Sequence, residues 1–145
     1  MAHDPMEVWQ RMQMKLWPER YWLIDIPAGH ESLMTRILVE GIGRYGCVIK
    51  DQHGFSVVVD VETWEKVAEG VTPRQQFGPL RVISTDSELP FDVTGFIKAA
   101  LAPVNALGLK AAPQCGAAAD HFFTSDEDID RVVAEFTKFT AGFTN

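Results

Sequence analysis

The sequence predicts an α+β fold made of two similar units, each an antiparallel sheet with helices on one face. Three observations lead there. The order strand–helix–strand–strand–helix is read twice along 145 residues. In the second half, apolar residues recur at helical spacing over 93–107 and again over 129–136. In the first half, Phe55, Val57, Val59 and Val61 alternate with Ser56, Val58 and Asp60, the period of a strand. Split β-α-β-β-α-β units place an antiparallel sheet under helices. Each half lacks its sixth element unless the other half supplies a strand.

Each element has a local reason. Residues 1–17 carry Val8, Trp9, Met12 and Leu16 at roughly helical spacing, which predicts a short helix or packed arm ended by Pro18. A dense apolar run at 21–26, interrupted by Asp25 and closed by Pro27 and Gly29, predicts a central strand. Leu33, Met34, Ile37 and Leu38 put one apolar face on a helix over 31–40. Residues 45–50 and 55–61 form a hairpin around the turn Asp51-Gln52-His53-Gly54. A short helix over 62–69 and a polar connector over 70–76 follow. The division is an arm at 1–17, a first unit at 18–72 and a second at 73–145.

The second unit opens with a strand over 78–85. Its central helix starts at Asp92, whose carboxylate suits an N-cap, and ends at Gly108. Its apolar stripe is Val93, Phe96, Ile97, Ala100, Leu101, Val104 and Leu107. Two short extended runs follow, ending at 120–124. The last helix is announced by Ser125 with Asp128 three residues on, a capping-box pattern, and by Asp126 and Glu127. Its buried face is Ile129, Val132, Val133 and Phe136.

Composition narrows function. At 46% hydrophobic residues the chain builds a real core. A formal net charge of −7 argues against nucleic acid and against an anionic membrane surface. Two cysteines, Cys47 and Cys115, do not make a disulfide framework and suit a reducing interior. No apolar run reaches the roughly 20 residues of a membrane span. Asp4 and Glu7 with no apolar core segment exclude a signal peptide. The expectation is a cytoplasmic protein.

Gly78-Pro79-Leu80-Arg81-Val82-Ile83 and then Leu89-Pro90-Phe91-Asp92-Val93-Thr94-Gly95 resemble the small tandem ACT-domain proteins related to the CASTOR-type amino-acid sensors. The likeness continues through Leu101-Ala102-Pro103, Gly108-Leu109, Asp120-His121-Phe122-Phe123 and Asp126-Glu127-Asp128-Ile129, and more loosely through 22–26 and 55–59. It implies two ferredoxin-like βαββα(β) units that bind an amino acid or related metabolite between units. The loop before the first helix and the facing strand would hold it. The chain departs from the family at Gln114-Cys115-Gly116-Ala117, where Ile-Ser-Thr is common, and at Asp92, where a serine is common.

The candidate ligand-binding residues are therefore Thr85, Asp86, Asp92, Val93, Thr94, Gln114, Cys115 and Asp120. Thr85 and Asp86 open a polar loop, and the amides of Val93 and Thr94 would be free to receive an anion at the helix start. The rival reading is a small enzyme on the same scaffold, an acid–base cyclase or isomerase in a biosynthetic pathway. Its proton-transfer groups would be Asp120, His121 and Asp92. Asp120 and His121 are adjacent on a strand and point to opposite faces. A third reading is a structural partner domain that uses a sheet edge.

Other patterns resolve to simpler roles. Residues 41–46 spell G-x-G-x-x-G, but a helix precedes and a strand follows, the reverse of a dinucleotide site. The histidines His3, His30, His53 and His121 have no metal-ligand spacing, so no metal and no cofactor is expected. Trp9, Trp17, Trp22 and Trp64 read as core or interface residues. Unpaired sheet edges favour a symmetric homodimer.

Overall fold

Along the chain, in a computed structural model that describes residues 3–90 and 92–144, the elements are α1 (Pro5–Arg11), β1 (Gln13–Leu16), β2 (Tyr21–Pro27), α2 (Glu31–Glu40), β3 (Cys47–Asp51), β4 (Gly54–Asp60), α3 (Val61–Val67), β5 (Gln75–Thr85), α4 (Phe96–Ala106), β6 (Ala112–Cys115), β7 (Asp120–Ser125), α5 (Ile129–Phe139) and β8 (Gly142–Thr144). Met1, at the start of the expected arm, and Phe91, in the family-like run, lie outside the described residues. The chain divides into one unit at Pro18–Leu80 and another that joins Met1–Trp17 to Arg81–Asn145. The sequence reading drew its break at 72/73 and kept 1–17 apart.

In the Pro18–Leu80 unit the strand order is β3-β4-β2-β5. β4 lies between β3 and β2, antiparallel to both, with Val57 opposite Val48 and Ile24. The first part of β5 pairs with β2 and supplies the missing sixth element, with an irregular register between Tyr21 and Leu23. The apolar face of α2 meets these strands in a core that includes Ile24, Leu33, Ile37, Val57, Trp64 and Val67. Helix α2 has the predicted bounds because its face is contiguous and Gly41 follows it. Helix α3 starts at Val61, where Asp60 accepts the Thr63 amide at 2.9 Å as an N-cap. Arg74, in the expected connector, binds Asp25 at 2.7 Å, which accounts for a carboxylate within strand β2. The glycine-rich run at 41–46 does sit between a helix and a strand, and its Arg44 binds Asp60 and Glu62.

In the other unit β6, β7, the second part of β5, β1 and β8 follow one another across the sheet. β1 is antiparallel to β5, with Met14 opposite Thr85, and parallel to β8, with Met14 opposite Phe143. The expected arm is therefore helix α1 followed by a strand inserted between β5 and the sixth element, β8. Helix α1 follows Asp4, which accepts the Met6 amide at 2.8 Å, and has Pro5 in its first turn. Its Trp9 is fully buried with Met14, Ile83, Phe122 and Phe136. The indole stacks on Phe96 with centroids 4.0 Å apart and donates to the Phe96 carbonyl at 2.7 Å. Trp9 thus belongs to its own unit's core.

Helix α4 corrects one expectation. It starts at Phe96, with Gly95 as its N-cap at φ +78, and Asp92 does not cap it. Val93 is bridged to His3 and the Asp92 carboxylate accepts from His3 Nδ1 at 2.7 Å, so this carboxylate is engaged outside the helix. Gly95, free to take the left-handed conformation, then turns the chain into the helix. Val93 consequently lies outside the helical stripe, and Leu107 is half exposed. Gly108, at φ +74, ends the helix as expected. Before α5, Ser125 Oγ accepts the Asp128 amide at 3.1 Å, and the helix itself starts at Ile129.

Candidate functional site

The β6–β7 hairpin sets Cys115 directly opposite Asp120. Their side chains share the face that carries Phe122, which is also the face toward α4. Between this hairpin and the start of α4 lies a hollow of about 540 Å³. Leu89, Pro90, Val93, Gly95, Phe96, Ile97 and Lys98 form one wall, and Cys115, Gly116, Ala117 and Asp120 the other.

The two walls differ in charge. Asp120 is only 6% exposed, and its amide donates to Thr85 Oγ1 at 3.0 Å. The Cys115 thiol is exposed and stands opposite Asp120, and partial burial, with the negative charge of Asp120 second, pushes its pKa up. Cys115 is therefore a neutral thiol and a poor nucleophile at neutral pH. Across the hollow, α4 starts with no side-chain cap and no acidic residue in its first turn, so its partial positive charge is uncompensated. Lys98 adds a full positive charge there.

The structure brings together three of the expected ligand residues, Val93, Cys115 and Asp120. Thr85 stands behind them as the support of Asp120. Asp86 turns away, accepting from Thr144 Oγ1 at 3.2 Å while its amide donates to the Gln13 carbonyl. Asp92 is held by His3, and Thr94 is exposed outside the lining. Gln114 sits in register with His121, on the face opposite Cys115, and its side-chain amide donates to the Cys115 carbonyl.

His121 likewise lies on that opposite face, as strand alternation requires. Its Nδ1 is 2.6 Å from Ser84 Oγ, which also accepts from the Trp17 indole at 2.8 Å. Burial lowers the His121 pKa, with the negative charge of Asp120 acting against it. Ser84 is buried at 4% exposure, and His121 is half-buried on the face away from the hollow. The three proton-transfer candidates Asp120, His121 and Asp92 therefore do not converge.

Sequence reasoning missed Lys98. A lysine in the first turn of a helix opposes the helix dipole, and that local anomaly was a readable signal. Trp17 and Ser84 had no such signal. Among the described residues no group of three His, Cys, Asp or Glu side chains could hold a metal ion. No described helix is long and apolar enough to cross a membrane.

No protein-family model matches the chain, and no curated protein sequence matches it. Solved structures do. A Vibrio cholerae protein of unknown function, described as a possible transport protein, superposes with a TM-score of 0.67 at 17% identity, covering 90% of this chain and 91% of that one. An Agrobacterium tumefaciens protein gives 0.68 at 14% identity, with 92% of each chain covered. The regulatory subunit of aspartate kinase from Thermus flavus gives 0.53 at 12% identity, covering 89% of this chain and 96% of that one. These likenesses establish the fold: a pair of ferredoxin-like units of the ACT type, as in the regulatory part of aspartate kinases.

Proposed function

We propose that this chain is a regulatory ACT-type protein that binds an amino acid or a related small carboxylate and does not transform it. The carrying observation is the hollow with a buried carboxylate, Asp120, on one wall and Lys98 with the uncapped start of α4 on the other. A zwitterion matches both walls: its ammonium faces Asp120 and its carboxylate faces Lys98 and the helix amides. Val93, Cys115 and Asp120 contact the ligand in this reading, and Thr85 positions Asp120. The CASTOR-like residues of the second half and the aspartate kinase fold likeness support a sensor role. The protein then works in the cytoplasm as a homodimer, with no cofactor. Catalysis is the weaker reading, since Asp120 has a neutral thiol beside it and His121 and Asp92 lie elsewhere.

A thermal-shift screen against amino acids and small carboxylates tests this. A ligand at 100 times its dissociation constant adds about 2.7 kcal/mol. The screen should find one, and Asp120→Asn should remove its effect while the protein stays folded. Absence of any shift at millimolar ligand, or full retention in Asp120→Asn, would refute the reading.

A further inference from the structure

We infer that the N-terminal segment, residues 3–13, is a strap that positions one wall of the hollow, with His3 and Asp92 as its latch. The inference rests on the hollow being the binding site. The wall in question is the connection between β5 and α4, which supplies Leu89, Pro90, Val93 and Gly95.

The strap grips this connection at several points. At the near end the Asp86 amide donates to the Gln13 carbonyl at 2.8 Å and the Gln13 amide donates to Ser87 Oγ at 2.9 Å. At the far end His3 bridges Val93 and its Nδ1 donates to Asp92 at 2.7 Å. Just beyond, Trp9 binds the Phe96 carbonyl. Asp86, Ser87 and Asp92 each hydrogen-bond to this segment, and Asp86 also accepts from Thr144 Oγ1.

Between its two anchored ends the connection is not packed flat against the strap. A second hollow, of about 370 Å³, separates them, lined by His3, Val8, Arg11 and Met12 on the strap side and by Ser87, Glu88 and Pro90 on the other. Pro90 therefore stands between two hollows and lines both. Leu89 and Val93 on either side of it pack against the core, and the hydrogen bonds to the strap lie at the two ends. The Gln13 end is part of the β1–β5 strand pairing and is fixed by the core. The His3 end is a surface contact, with the two side chains 45% and 49% exposed. His3 is thus a positioning residue whose loss frees the wall next to α4 and leaves the core intact.

The test is hydrogen–deuterium exchange on the full, unliganded chain, which does not depend on any ligand being found. His3→Ala should raise exchange at the amides of residues 93–95 by roughly three- to fivefold, the scale of one exposed ion pair. The melting temperature and the exchange of β5 and the later turns of α4 should not change. His3→Asn, which presents an amide N–H where the imidazole Nδ1 lies, should restore protection. Unchanged exchange at 93–95 in His3→Ala would overturn the inference. So would a rise spread evenly over the whole unit, since that would mean lost global stability and no local latch.

Discussion

The Asp120 amide donates to the Thr85 hydroxyl at 3.0 Å, and both residues are buried. One residue back on β5 and one on along β7, Ser84 and His121 make the matching contact on the opposite face at 2.6 Å. Two polar pairs therefore join β5 to β7 back to back, and the first fixes the backbone that carries the candidate ligand carboxylate. Thr85→Val keeps the shape but leaves a buried amide without its acceptor. It should cost about 1–3 kcal/mol, read from urea unfolding, while Thr85→Ser should recover most of that loss. Equal stability of the valine and serine variants would show that the bond carries no weight.

Asp60 contributes to the acid limb of the Pro18–Leu80 unit. It is 1% exposed, and burial by itself would raise its pKa. The Thr63 hydroxyl and amide and the Arg44 guanidinium outweigh that and hold it below the usual value. With the folded pKa lowered, the unfolded chain takes up protons first as the pH falls. The contribution is then fully present above the unfolded carboxyl value, roughly pH 4, and is lost as the pH falls through the lower folded value. The stability of Asp60→Asn should depend less on pH below about 4 than that of the native chain. Parallel pH profiles from chemical unfolding would contradict this.

Trp9 makes helix α1 part of the fold. Its side chain is fully buried and stacked on Phe96. Trp9→Ala should cost about 3–5 kcal/mol. Trp9→Phe, which keeps an aromatic ring but loses the bond to the Phe96 carbonyl and part of the indole's volume, should cost less than Trp9→Ala but more than the ~1 kcal/mol of that bond alone. Urea titrations of the two variants check the ratio. A chain lacking residues 1–12 should fail to give a cooperative transition for the second unit, because it would expose the pocket that Trp9 fills.

Periodicity alone determined most of the elements. The face of α2, the turn between β3 and β4 and the stop at Gly108 follow from residues within a few positions of one another, and each is found where the local pattern puts it. The alternation of Cys115, Asp120 and His121 also fixed in advance that Asp120 and His121 would face opposite ways. Long-range pairing decided the rest. Gln13 to Leu16 is too short a run to announce itself as a strand, and it becomes one because β5 and β8 offer hydrogen-bond partners on either side. Asp92 has the chemistry of an N-cap, yet a histidine 89 positions away takes its carboxylate and the helix starts only after Gly95. The hollow opposes Lys98 to Asp120 only because β7 lies beside β5 and brings the hairpin up to α4. Local spacing sets which face a side chain occupies, and only tertiary contact sets what stands across from it.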